Sequence, residues 1–138
     1  MLHYLDVLER REVELLDQVV DEHVVVHGPG GSPGLEGLDA FKREQAGSPF
    51  SEERIEVDDL LVAGDKVVLR YRLECTHSGE FLGVPPSGRR LRASGIKIYR
   101  LANGKIAEIW GEDDLYGLLE QLRLVPPLAE LRSEGADV

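Results

Sequence analysis

The sequence predicts an α+β domain in which a curved antiparallel sheet of about four main strands, plus one short strand, wraps N-terminal helices and is followed by a C-terminal helix. Three observations carry this reading. Between Lys66 and His77 the residues alternate, with Val67, Leu69, Tyr71, Leu73 and Cys75 on one face and Arg70, Arg72 and Glu74 on the other, as a half-buried strand requires. Asn103-Gly104 lies between Ile98-Tyr99-Arg100-Leu101 and the run Lys105 to Trp110, and this pair tolerates the positive φ of a tight hairpin turn. The order of elements is helix, strand, helix, consecutive strands, helix, which suits a sheet curled into a cone around a hollow.

Each element has its own warrant. From Leu2 to Val20, Leu5, Leu8, Val13, Leu15, Leu16, Val19 and Val20 recur roughly at helical spacing among charges, and Arg10-Arg11 is where this helix would break. His23 to His27 is a short β-like run with His23, Val25 and His27 on one face. The loop Gly28 to Gly34 is rich in glycine but lacks the Lys-Ser/Thr pair of a phosphate cradle. Gly37 to Gly47 reads as a surface helix with Leu38, Phe41 and Gln45 on one side. Glu53 to Ala63 pairs with Lys66 to His77 through Gly64-Asp65.

The period of that second strand carries His77 to the end of its apolar face, beside the loop Gly83 to Gly88, whose prolines and glycines exclude regular structure. In the last strand, counting by two puts Lys105, Ala107, Ile109 and Gly111 on one face and Ile106, Glu108 and Trp110 on the other. Glu112, Asp113 and Asp114 then precede Leu115, Leu118, Leu119 and Leu122, an acidic start to an amphipathic helix. Val125-Pro126-Pro127 stops it, so residues 1–125 form the domain and 126–138 a tail, with a small helix expected at Leu128 to Arg132.

The totals narrow the function. With 16 basic and 26 acidic residues the formal net charge is -10, which argues against a nucleic-acid backbone as partner. Arg89, Arg90 and Arg92 form a local basic patch that reads as a solvated strand end. Cys75 is the single cysteine, inside an apolar strand, and reads as a buried structural thiol. No apolar run spans a bilayer, and Met1 to Asp6 lack the basic start of a secretion signal, so a cytoplasmic protein is expected.

A longer pattern runs through Thr76-His77, Gly79, Phe81, Gly83, Pro85-Pro86-Ser87-Gly88-Arg89, Gly95-Ile96, Ile98-Tyr99-Arg100, Asn103-Gly104-Lys105-Ile106, Glu108, Trp110-Gly111, Asp114 and Gly117-Leu118-Leu119. It resembles the SnoaL-like polyketide cyclases and their ester-cyclase relatives, small members of the nuclear-transport-factor-like, cystatin-type cone fold. The resemblance implies a hydrophobic pocket for a small apolar or polycyclic molecule, a homodimer and cofactor-free chemistry, while His23, His27, His77 and Asp114 show no ligand spacing or cluster that supports a metal. It also shows departures: Ile109 stands where the family often has His before the Trp, Val26 replaces an acid before His27, and the first helix is short.

On that resemblance the reaction is an aldol-type cyclisation, needing a positioned base, a proton donor and a dry pocket. Asp114 matches the family's acid after the Trp and is the first candidate for the base, with His77 and His27 as candidates for proton donation or carbonyl polarisation. Tyr71, Phe81, Ile109 and Trp110 are the candidates for substrate contact. Each has a plainer reading: an acid in a helix's first turn is stabilising by itself, strand-end histidines bond to loops, and Trp110 belongs to core or interface. A ketosteroid-isomerase-like reaction needs the same groups. A non-catalytic binding or dimer module, with Tyr99 and nearby apolar residues as an isologous patch, stays open beside both.

Overall fold

The break in the first amphipathic stretch decides how the chain enters the fold. In the computed structural model, which describes residues 1–28 and 34–131, α1 (Leu2–Glu9) stops at Arg10 and Arg11 takes a φ of 55°. The charged run Arg10-Arg11-Glu12 interrupts the apolar spacing, and a 3-10 turn (Val13–Gln18) leads straight into β1 (Val20–Val26). There follow β2 (Leu35–Glu36), α2 (Leu38–Ala46), β3 (Phe50–Ala63), β4 (Lys66–His77), β5 (Arg90–Ala102), β6 (Lys105–Asp113) and α3 (Leu115–Gln121). Residues 128–131 add a helical turn; the rest of the expected tail, and most of the glycine-rich loop, lie outside the described residues.

The strands form one six-stranded sheet in the order β2-β1-β6-β5-β4-β3. The four long strands are the antiparallel run expected; the addition is β2, which pairs through Val25↔Glu36 and Val26↔Leu35. β1 lies parallel to β6, a long-range pairing made by Val20↔Ile106 and Val26↔Ile109. The hairpin turn has the geometry its residues favour, with φ of 52° at Asn103 and 76° at Gly104.

One extra residue changes the reading of β6. Arg100 pairs with Glu108 but Leu101 pairs with Ile106, so Ala107 has no opposite number and the strand bulges there. Simple alternation put Ile106 with Trp110; the bulge instead turns both Ile106 and Ile109 into the core. From Ile109 onward the inward face is Ile109, Gly111 and Asp113, while Glu108, Trp110 and Glu112 face outward.

The helices fill the concave side. Tyr4, Val7, Leu16, Val20, Val24 and Phe41 pack with Val67, Leu69, Tyr99, Ile106 and Ile109 in one core cluster. Tyr99 is 1% exposed and meets Tyr4 edge to face at 5.6 Å between centroids, so it belongs to this core and cannot form an exposed isologous patch. The convex side instead exposes Leu61 (60%), Ile96 (48%) and Ile98 (36%). A smaller cluster of Cys75, Leu91 and Leu122, with Phe50, Phe81 and Leu118 against it, ties α3 to the far end of the sheet. Burial there pushes the Cys75 thiol up to about 11, as for a structural cysteine. Among the described residues no helix is long and apolar enough to cross a membrane.

Candidate functional site

Between the helices and the concave face lies a cavity of about 570 Å³ whose wall includes Phe41, Phe50, Phe81, Ile55, Leu73 and Ile109. Three adjacent strands meet at one point of that wall. Tyr71 of β4, Gly95 of β5 and Asp113 of β6 stand side by side in register. The Tyr71 hydroxyl crosses β5 to donate a hydrogen bond to Asp113 Oδ1. Glycine at 95 is what permits the crossing, because a Cβ there would collide with the Asp113 carboxylate and the Tyr71 hydroxyl. Burial first, then the bond and charge of Asp113, raise the Tyr71 phenol well above its ordinary value and keep it a donor.

Two further ionisable groups share this wall. Glu53 of β3 is pushed upward by burial, against the pull of Arg11 and Lys97 and with the help of Glu9. Lys97 of β5 places Nζ 5.5 Å from the centroid of the Tyr71 ring. Neither group, nor Asp113, emerges from the sequence reading. Strand parity carried past Trp110 would have found Asp113, two residues beyond Gly111 on the face of Ile109.

The expected site residues separate into different places. Tyr71, Phe81 and Ile109 line the hollow, and Phe81 packs on Phe50 at 5.1 Å between centroids. Asp114 does not enter it. As the N-cap of α3 it accepts from Gly117 N–H at 3.0 Å, and it borders an open polar groove where Arg72 and Arg92 already pair with acids. Trp110 faces outward, with the ring of His27 stacked on it at 5.0 Å and an interplanar angle of 6°. His27 stands at the rim of the hollow, yet its Nε2 lies 2.6 Å from Glu108 Oε2 on the outward face, and Glu108 accepts from Arg100 through its other oxygen. That bond from His27, followed by the one from Arg100, holds the Glu108 carboxyl below its usual range.

His77 is fully buried behind Phe50, whose ring centroid is 6.2 Å from its own. Its Nδ1 accepts from Ser87 N–H at 3.3 Å and lies 2.8 Å from Ser87 Oγ, which places the ring proton on Nε2. That Nε2 has no hydrogen-bond partner among the described residues. His77 therefore anchors the loop between β4 and β5, with its own N–H donating to Arg89 O and its carbonyl accepting from Gly88 N–H. Among the described residues no three His, Cys, Asp or Glu side chains converge as a metal site.

A carboxylate held by a phenol on a wall that also carries an ammonium can take a proton from a carbon acid and steady the resulting charge. Among solved structures, TsrD from Streptomyces laurentii is similar at 30% identity, over 87% of this chain and 89% of that one, with a TM-score of 0.75. Wild-type IdmH from Streptomyces antibioticus is similar at 27% identity, over 86% and 92%, with a TM-score of 0.71. A SnoaL-like polyketide cyclase from Agrobacterium tumefaciens is similar at 25% identity, over 88% and 93%, with a TM-score of 0.73. No curated protein matches the chain in sequence. The family model for SnoaL-like polyketide cyclase matches residues 1–122, nearly the whole cone with its hollow and α3, and the chain belongs to that family.

Proposed function

We propose that the hollow binds a planar, polyketide-like molecule and that Asp113 acts as the base of a cofactor-free, aldol-type cyclisation. The observation that carries this is the row Tyr71, Gly95, Asp113 on a wall it shares with Phe41, Phe50, Ile55, Leu73 and Ile109. Asp113 removes a proton from a carbon flanked by carbonyls, and the electron pair of that C–H bond becomes the enolate. The enolate carbon attacks a second carbonyl, and the alkoxide formed takes up a proton, so the product is an isomer of the substrate or its dehydration product. Tyr71, a firm donor, fixes the carboxylate's direction. A positioned base of this kind is worth about 10²–10⁴ in rate. The aromatic and aliphatic lining from Phe41, Phe50, Phe81 and Ile109 folds the substrate and excludes water.

The test begins with thermal shifts against planar polyketide intermediates, steroids and unrelated apolar controls. Ligand at about a hundred times its dissociation constant adds roughly 2.7 kcal/mol to stability. Product analysis on the class that binds then separates cyclisation from isomerisation. If Asp113→Asn turns over an identified substrate as the wild type does, the assignment of Asp113 fails.

A second proposal concerns the convex face. Leu61 of β3, Val68 of β4, Ile98 of β5 and Trp110 of β6 stand in one row, with Ile96 beside it, and such a patch suits a homodimer.

A further inference from the structure

Among the described residues the charge on Lys97 has no ion-pair partner. Its side chain enters the hollow from mid-β5, between Leu69 of β4 and Gly111 of β6. Lys97 Cγ and Cε lie 3.1 and 3.3 Å from where a Cβ on residue 111 would stand, so the glycine leaves room for the stem. Four arginines of the convex face pair with acids: Arg70 with Asp59, Arg72 with Asp58, Arg92 with Glu74 and Arg100 with Glu108. Lys97, half-buried, makes no ion pair among the described residues and rests over the Tyr71 ring. The charged and titratable groups that line the hollow with Lys97 are Glu53 from β3, Tyr71 from β4, Asp113 from β6, Tyr4 from α1, Arg43 and Glu44 from α2, and His27 just past β1 at the rim. Asp113 already holds the Tyr71 hydroxyl, and burial favours the neutral form of Glu53. An ammonium withdrawn from water in this way gains from an anion that a ligand supplies.

We propose that Lys97 is a catalytic residue whose ammonium takes the oxygen of the enolate formed at Asp113, which commits the hollow to enolisable 1,3-dicarbonyl compounds. This rests on the reading of the hollow given above. When the C–H bond breaks, its proton goes to the Asp113 carboxylate and its electron pair becomes the C=C bond. The carbonyl π pair moves onto oxygen, where Lys97 meets it as an ion pair; no oxidant, reductant or further reactant is needed. The positive charge is in place before the reaction, so nothing has to reorient as the negative charge forms.

The probes are benzoylacetone, a 1,3-diketone with a distinct enolate absorption, and its 2,2-dimethyl derivative, which is two methyl groups larger and has no proton on the carbon between the carbonyls. Wild-type protein should bind both and convert bound benzoylacetone to enolate at a lower pH than in free solution. Lys97→Met, which keeps the stem, should raise that pH by about one unit, a tenfold loss in ionisation, and Lys97→Arg should restore most of it. Binding of the dimethyl compound should be the same in all three. An unchanged enolate fraction in Lys97→Met, with the dimethyl compound still bound, overturns the role of Lys97 and leaves the hollow as a site. Equal loss of both compounds in Lys97→Met shows a structural role and overturns the proposal. If the wild type binds neither compound, the reading of the hollow falls and this proposal falls with it.

Discussion

The Tyr71 hydroxyl reaches over Gly95 to Asp113, joining β4 to β6 across an intervening strand. Gly95→Ala puts a methyl group into that crossing. The expected cost is about 1–3 kcal/mol from overpacking. Urea unfolding should show a lower midpoint with an unchanged slope, and a wild-type midpoint would contradict the geometry.

Removing the donor is gentler. Tyr71→Phe deletes one hydrogen bond to a carboxylate and should cost roughly 0.5–3 kcal/mol. If Asp113 is the base, the same variant lowers turnover without abolishing it. Its effect on kcat should exceed its effect on KM, since a misdirected carboxylate still leaves the pocket intact.

The alkaline limit follows from buried phenols. Tyr4, Tyr71 and Tyr99 are all raised, with burial the leading cause. A folded pKa above the unfolded one means that the folded chain keeps protons the unfolded chain releases. Their contribution is complete below about pH 10, the unfolded tyrosine value, and is lost as pH rises beyond it, at about 1.4 kcal/mol per pH unit for each group. Urea unfolding on either side of that pH should show the fall, and Tyr71→Phe should make it shallower.

The neighbouring acids should divide their roles. Asp114→Ala removes the N-cap of α3 and should cost about 1 kcal/mol with ligand stabilisation retained. Asp113→Asn should leave stability within about that range while removing turnover. The reverse pattern would return the chemistry to Asp114. Denaturant midpoints and product analysis on the same preparations decide it.

On the convex face, Ile98→Lys sets a charge in the middle of the exposed apolar patch. Sedimentation should show a dimer for the wild type and a monomer for the variant. A monomeric wild type at micromolar concentration would remove the dimer reading.

Local chemistry made most of the fold legible. Asn103-Gly104 could serve only a tight turn, and the alternation from Val67 to Cys75 named the buried face of β4 correctly. The site was harder to see because its parts depend on register between distant strands. Nothing near Ala107 announces a bulge, yet that extra residue resets the parity of the strand before Glu108. Asp113 and Asp114 are adjacent and alike; one ends a strand facing the hollow and the other begins a helix facing outward. Lys97 looks like any solvated strand lysine until Gly111 is placed beside it. His27 and Trp110 were both legible as functional candidates, but their stacking on the outward face required the parallel pairing of β1 with β6.

The closure of the β4–β5 loop at His77 has an engineering reading. Both backbone groups of His77 are bonded across the loop's base, and its ring holds Ser87, so the segment between them is a cassette on a fixed socket. From that cassette Phe81 reaches the wall of the hollow, while Leu82 and its neighbours face solvent. On the proposed function, selectivity for one ring size or another is open to revision by exchanging residues 79–86 alone. The carboxylate, the phenol and the ammonium sit on strands that such a graft leaves where they are.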